Sequence, residues 1–313
     1  MGCLIAIAII PFLGAEKISW NEIWDPSSAA HRIFFELRIP RLFLTLIVGG
    51  VLASLGGTYQ ILFHNALAEP YVLGICSAVT LGIGVAEVFL KVPTYSLTAG
   101  AIGFGFGGIA TVLLIFLALS RVGDDADELI LFGMGLNFVL SSALFLMLSY
   151  AYQHMGGGSL RWLFGQIPWA SAKEVALLAA VVAPLLGLIL LFSRRLDALA
   201  FGDTVARTMG FHPARARAVF LAVSSLLLAV VVFFTGAIGF VGLVIPHGIR
   251  LVFRPSSSRL LLVMSMVAGS LFLAVSDLLS RLLLPPFEFP IGILTTLFGG
   301  PVFLYLLWRK GTT

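Results

Sequence analysis

Long apolar runs separated by short polar breaks make up most of the chain. A helix that crosses a bilayer needs about 20 predominantly apolar residues, and most of these runs reach that length. The pattern predicts ten helical segments, at residues 3–13, 42–63, 72–90, 96–119, 128–151, 173–193, 215–235, 240–253, 259–284 and 292–308. The first and the eighth are too short to span a bilayer unaided. We therefore expect an all-α polytopic membrane protein with about ten transmembrane helices.

The composition agrees with this prediction and indicates no second domain. Hydrophobic residues are 59% of the 313 and charged residues only 11%, whereas about 25% of the residues of a soluble globular domain are charged. We expect one transmembrane domain over residues 1–313, in contact with membrane lipid and without a nucleic-acid partner.

The polar residues argue against several kinds of chemistry. The five histidines are not spaced as metal ligands, and no lysine follows a glycine, as a phosphate-binding P-loop requires. Cys3 and Cys76 lie far apart and form no disulfide framework. We expect no metal, no cofactor and no nucleotide site in this chain.

The stretch Gly236–Arg250 interrupts an apolar run with glycines and a proline, and ends it with His247 and Arg250. Irregular backbone at membrane depth is tolerated only where it is buried in protein or lines a water-filled path. The break therefore favours a protein that encloses a path over a simple lipid-facing anchor. A kinked helix held by packing alone is the alternative.

Ten crossings place both termini on one side, and Arg309 and Lys310 favour the cytoplasm for that side under the positive-inside rule. Arg32, Arg38 and Arg41 then crowd one outer segment against the usual bias. A guanidinium pairs well with a carboxylate, so these arginines predict an acidic partner outside the chain. Anchoring to lipid headgroups is an equally good interpretation from position alone.

The largest cytoplasmic connection, Arg194–Arg217, contains a predicted short amphipathic helix. Val205 and Met209 share one face at i, i+4, and Gly210 is a typical C-terminal stop. A helix this short is marginal alone in water. We expect it to pack either on its own membrane domain or on a partner.

Few carboxylates lie within the predicted spans. Asp277 and Arg281 are spaced i, i+4 and can pair with each other, and Glu87 is the other candidate. An ion-driven transporter, which normally needs carboxylate relays in the membrane, is the main alternative function. A membrane-embedded enzyme lacks any constellation of catalytic residues here.

Six motifs together resemble those of the FecCD-type permeases, the membrane subunits of ABC importers for iron–siderophore complexes, haem and cobalamin. They are Arg38-Ile-Pro-Arg41, Asn65-Ala-Leu-Ala-Glu-Pro70, Gly202-Asp-Thr-Val-Ala-Arg-Thr-Met-Gly210, Gly236-Ala-Ile-Gly-Phe-Val-Gly-Leu-Val-Ile-Pro-His247, Ala274-Val-Ser-Asp277 with Arg281, and Phe289-Pro-Ile-Gly292. Their order and spacing match the family over nearly the whole chain. One departure is Ala66, where the family commonly has proline.

The resemblance implies a type II ABC importer permease fold and transport by alternating access. It implies a homodimer in the bacterial or archaeal cytoplasmic membrane, two cytoplasmic ATPase subunits that hold ATP and Mg, and a periplasmic or lipid-anchored substrate-binding protein. Iron–siderophore is the first expected substrate, followed by haem and cobalamin, and a smaller oxyanion is the alternative within the family.

The resemblance also assigns roles to residues. Coupling to the ATPase falls in a region of about residues 195–214, on Gly202, Asp203, Ala206, Arg207 and Gly210. The cytoplasmic gate falls on Asn65, Leu67, Ser141 and Ser142, and docking of the binding protein on Arg38, Arg41 and Arg281. Expected hinge or structural positions are Pro70, Gly236, Gly239, Pro246, His247, Pro290 and Gly292.

Overall fold

The computed structural model of the chain describes residues 9–13, 22–93, 96–120, 126–155, 164–283 and 287–310. Its helices, numbered in chain order, are α1 (Ala29–Leu62), α2 (Ile75–Leu90), α3 (Leu97–Leu119), α4 (Ala126–Met155), α5 (Ala172–Leu191), α6 (Ser193–Ala200), α7 (Asp203–Thr208), α8 (Pro213–Thr235), α9 (Val241–Phe253), α10 (Ser258–Leu282) and α11 (Ile291–Lys310). Short 3-10 turns at Ile10–Phe12 and Glu22–Trp24 precede α1.

The predicted all-α polytopic fold is confirmed, because every predicted segment after the first corresponds to a helix. Helices α1, α3, α4, α5, α8 and α10 are long and apolar enough to cross a membrane, whereas α2, α9 and α11 are shorter apolar helices. The 13 residues of α9 extend about 20 Å, less than the hydrocarbon core of about 30 Å. The predicted segment 3–13 lies largely outside the described residues, which include only the turn Ile10–Phe12 there.

Helix α1 lies at the centre of the described bundle and packs against α5, α6, α8, α9 and α10. Glycines make its closest contacts. A Cβ atom at Gly49 would collide with the carbonyl oxygen of Gly269 in α10, and one at Gly56 with that of Gly242 in α9. Small residues allow such close approach of helix backbones in a membrane. Helices α1, α9 and α10 therefore form one tightly packed group.

Helices α2, α3 and α8 form a second packed group. Gly103 and Gly107 of α3 lie against Ile83 and Val79 of α2, as expected for packing through small residues. Helix α4 packs mainly on α2 and α3, and most of its surface is exposed in the single chain.

The segment between α1 and α2 turns back into the bundle. Pro70 packs against Gly242 at the start of α9, and the hydroxyl of Tyr71 accepts the N–H of Ile238 at 2.9 Å. Gly74 adopts a left-handed conformation, with φ of +80°, where the segment meets α4. This irregular backbone is therefore enclosed by the protein, as the bilayer requires.

A second group of irregular segments meets around residues 236–240, between α8 and α9. The carbonyl of Thr235 accepts the N–H of Gln166 at 2.8 Å, and the N–H of Gly292 donates to Gly165 at 3.2 Å. The segment before α5 thus bonds both the end of α8 and the first turn of α11.

Candidate functional site

The bundle end where α1 begins and α10 ends carries an arginine cluster, formed by Arg38, Arg41, Asp277, Arg281 and Glu288. Arg41 is only 2% exposed and donates to Asp277 at 2.9 and 3.1 Å and to Glu288 at 2.9 Å. Arg281 contacts the second carboxylate oxygen of Asp277 at 3.0 Å. The predicted Asp277–Arg281 pair is therefore confirmed, and Arg41 joins it.

Arg38 has a different environment within the cluster. Its guanidinium donates to the carbonyl oxygens of Pro11 at 3.0 Å and Phe12 at 3.4 Å. It thereby ties the turn before α1 to the helix. Arg38 is 6% exposed and Arg281 is 9% exposed, so all three arginines predicted to bind a partner protein are buried.

This geometry corrects one sequence expectation. The acidic partner of Arg41 and Arg281 was expected outside the chain, whereas Asp277 and Glu288 of the chain itself fill that role. The physical reason is that a buried charge costs several kcal/mol unless an opposite charge and hydrogen bonds compensate it. Docking of a binding protein at these arginines stays a prediction.

The four predicted gate residues fall into two separate places. Asn65 and Leu67 lie in the turn after α1, where the side-chain Oδ1 of Asn65 accepts the N–H of Leu67 at 2.8 Å. Ser141 and Ser142 lie in the middle of α4, and Ser142 is exposed. The structure thus places the two pairs on different elements.

A small polar cluster surrounds Ser141. Ser77 of α2 donates to the side-chain oxygen of Asn137 at 2.7 Å and lies 3.2 Å from the Ser141 hydroxyl. Sequence reasoning missed Ser77 and Asn137. Both are polar residues within predicted spans, and such residues are common because their side chains can bond the backbone of their own helix. Polarity alone therefore did not identify them.

The predicted hinge positions lie in or beside the irregular segments. They are Pro70, Gly236, Gly239, Pro246, His247, Pro290 and Gly292, of which Pro246 and His247 are buried within α9. Gly239 and Gly292 line a cavity of about 430 Å³. The break is therefore enclosed by protein on one side and borders a cavity on the other.

Phe240, at the end of the break, is a residue that sequence reasoning did not single out. It adopts a left-handed conformation with φ of +69°, which costs a non-glycine residue about 1–3 kcal/mol. Its side chain packs against Gly299 of α11 and joins a cluster with Leu243 and Phe303. This packing holds the strained start of α9 in place.

The coupling region, residues 195–214, contains the end of α6 and all of α7. Gly202 and Gly210 have left-handed φ of +101° and +81°, so the predicted short helix and its glycine stop are confirmed. Ala206 faces the bundle and is fully buried, whereas Arg207 is exposed. Gly202 is the N-cap of α7, and Asp203, its first residue, pairs with Arg217 of α8 at 2.7 Å.

An exposed apolar stripe runs along the same region. The stripe consists of Phe201, which follows α6 and is 76% exposed, and of Val205 and Met209, which are spaced i, i+4 along α7. The predicted common face of Val205 and Met209 thus points away from the chain. Large apolar side chains on such a surface are typical of protein contact sites.

Three polar contacts attach the coupling region to the bundle. Arg217 binds Asp203 and also the carbonyl oxygen of Leu62 at 3.2 Å. His64 Nε2 bonds the carbonyl oxygen of Leu199 at 2.6 Å, and the N–H of Ser258 donates to Asp197 Oδ1 at 2.6 Å. Sequence reasoning assigned no role to Arg217, since no local pattern distinguishes it from the other arginines of the connection.

Comparison with known proteins supports a common ancestry over the whole chain. A model of the FecCD transport family matches residues 2–309. The hemin transport system permease protein HmuU of Yersinia pestis is 32% identical over 320 residues, which cover 99% of this chain and 95% of that protein. The vitamin B12 import system permease protein BtuC of Vibrio vulnificus is 34% identical over 319 residues, covering 98% and 93%. A solved metal-chelate type ABC transporter in an inward-facing conformation aligns with a TM-score of 0.86 and 26% identity over 98% of each chain.

Proposed function

The chain belongs to the FecCD transport family, and on that premise we propose that it is the permease subunit of an ATP-driven importer that moves a metal chelate inward by alternating access. The relatives are permease proteins of transport systems, and the chain is assigned to the same class. The direction of transport, its energy source and the substrate are what we propose. ATP hydrolysis is assigned to a separate ATPase subunit, which holds the ATP and Mg.

The observation that supports the proposal most is the coupling region. It lies at one end of the bundle, exposes Phe201, Val205 and Met209, and is fixed to spanning helices by Arg217. An exposed apolar stripe with an exposed arginine suits contact with a partner protein. An importer subunit that relies on another protein for ATP hydrolysis needs such a surface.

The proposed assembly is a homodimer in the bacterial or archaeal cytoplasmic membrane, with both termini and two ATPase subunits on the cytoplasmic side. A periplasmic or lipid-anchored binding protein is proposed to dock at the opposite end, near the arginine cluster. The resemblance to the family, which places docking on Arg38, Arg41 and Arg281, supports this position.

Iron–siderophore is the proposed substrate, with haem and cobalamin next and a smaller oxyanion as the alternative. The relatives named for hemin and vitamin B12 are similarly close to this chain, so identity does not separate these chelates. Mass spectrometry of the ligand retained by the purified cognate binding protein would identify the substrate. An oxyanion in that protein would contradict the proposed chelate.

The proposed function is tested in proteoliposomes that contain the permease with its ATPase, and the substrate-loaded binding protein on the outside. We expect uptake only with ATP inside the vesicles, and none from the permease alone. A permease that accumulates substrate without the ATPase would contradict the proposal.

A further inference from the structure

We infer that the coupling region forms one rigid body with α1 and α10, and that Arg217 is the positioning residue at the joint. The inference rests on the proposed function and specifies how motion at the coupling region reaches the gate. It follows from contacts at both ends of the α1–α10 pair and from the separate location of α4.

Arg217 makes the central contact of this joint. Its side chain comes from α8, is 1% exposed, and reaches both Asp203 at the start of α7 and the Leu62 carbonyl oxygen at the end of α1. The last carbonyls of a helix lack partners within the helix, and a cation there is favoured by the helix dipole. One guanidinium thus fixes the position of α7 relative to the end of α1.

The two other contacts between the coupling region and the bundle also involve residues at helix ends. The His64 ring, directly after α1, bonds the Leu199 carbonyl oxygen near the end of α6. Asp197 of α6 accepts the N–H of Ser258, at the first position of α10. The first N–H groups of a helix also lack internal partners. The coupling region therefore bonds a free N–H at the start of α10, and the His64 ring bonds a carbonyl near the end of α6.

Helices α1 and α10 are in turn fixed to each other. Their backbones touch at Gly49 and Gly269, and Arg41 binds Asp277 at the opposite end of the pair. A sliding motion between the two helices would have to break the buried ion pair and separate the interlocked backbones. The pair therefore transmits a displacement of the coupling region instead of absorbing it.

Helix α4 packs mainly against α2 and α3, and it meets the segment after α1 at Leu73 and Gly74, beyond Asn65 and Leu67. The predicted gate is divided accordingly. Asn65 and Leu67 follow His64 directly and move with the body, whereas Ser141 and Ser142 belong to α4. A displacement of the coupling region consequently changes the distance between the two halves of the gate.

The first test replaces Arg217 and so removes its contacts with Asp203 and Leu62. In the complete complex with ATPase and binding protein, Arg217→Gln should reduce uptake per ATP hydrolysed by about tenfold, within the usual range of coupling effects. Arg217→Lys should restore part of that ratio. Arg215→Gln, an exposed arginine on the same helix, is the matched control and should keep the wild-type ratio. A wild-type ratio in a folded Arg217→Gln complex would overturn the inference.

A second test does not depend on the stability of the Arg217 variants. Asp197→Cys and Ser258→Cys are combined in a chain whose native cysteines Cys3 and Cys76 are replaced by alanine, and oxidation is verified by mass. If the coupling region and α10 move together, uptake by the oxidised complex should stay within about twofold of the reduced complex. Loss of uptake on oxidation that a reductant reverses would overturn the inference, and so would failure of the cysteines to pair, since disulfides form only between neighbouring residues.

Absence of ATP-driven uptake in the reduced complex and the wild type would instead contradict the proposed function.

Discussion

Arg41 joins two carboxylates from different parts of the chain, Asp277 in α10 and Glu288 beyond it. Its replacement leaves Asp277 as a buried charge whose one remaining ionic partner among the described residues is Arg281. We expect Arg41→Ala to lower the free energy of unfolding by about 3–5 kcal/mol, as found when one partner of a buried pair is removed. Denaturant unfolding of the purified protein measures this. Arg32→Ala is the control, because Arg32 is exposed on the same helix, and equal losses in both variants would contradict the prediction.

Side-chain pairs could be predicted from the sequence only where the helix itself brings residues together. Asp277 and Arg281 lie one helical turn apart, so their pairing follows from i, i+4 spacing. Arg41 and Asp277 are 236 residues apart, and their contact depends on how α1 and α10 pack. The sequence therefore predicted the partner of Arg281, whereas the partners of Arg41 became visible only in the packed structure.

Packing between helices depends on single glycines. At Gly56, a Cβ atom would overlap the backbone of Gly242, which cannot move aside as a side chain can. We expect Gly56→Ala to cost at least about 1–3 kcal/mol through overpacking, seen as a lower temperature of unfolding in detergent. Gly108→Ala in α3 is the matched control, since no atom lies within 4 Å of its Cβ position. A Gly56→Ala protein as stable as that control would contradict the close contact of α1 and α9.

The coupling helix α7 offers a test at the level of one element. Arg207 is exposed at the end of the bundle, so Arg207→Glu should leave the membrane domain folded. We expect it to weaken retention of the ATPase on affinity resin, by up to the 2–5 kcal/mol lost at desolvated charge pairs. Arg259→Glu makes the same charge change at an exposed site outside α7 and should retain the ATPase. Equal retention in both variants would count against α7 as the contact.

Helices could be located from the sequence more readily than the segments between them. Segments such as 173–193 and 215–235 match α5 and α8 to within two residues, because the bilayer demands apolar runs of a fixed length. Helix α1 begins earlier than predicted, since Ser28 caps it by accepting the N–H of His31. The inward turn of the segment after α1 depends on Tyr71 reaching Ile238, a partner that no local pattern reveals.

At the scale of the whole molecule, the structure shows how few carboxylates in its described part could serve an ion-driven transporter, the alternative function. Such a protein normally needs carboxylates within the membrane. Asp277, one of the two candidates from the sequence, is held by Arg41 and Arg281. The structure adds Glu69, which accepts the N–H of Phe240 at the start of α9. One of its carboxylate oxygens is buried without a hydrogen-bond partner in the described part of the chain.

Replacing Glu69 therefore distinguishes transport driven by ATP from transport driven by an ion gradient. Glutamine preserves the shape and the acceptor oxygen that faces the N-terminus of α9, but it cannot release a proton. If ATP hydrolysis drives transport, Glu69→Gln should keep ATP-dependent uptake in proteoliposomes within a few-fold of the wild type, because the helix dipole contributes only about 0.3–1 kcal/mol with the charge. Glu128→Gln, at an exposed position in the first turn of α4, serves as the control. Uptake driven by a proton or sodium gradient without ATP, present in the wild type and lost in Glu69→Gln, would establish the ion-driven alternative instead.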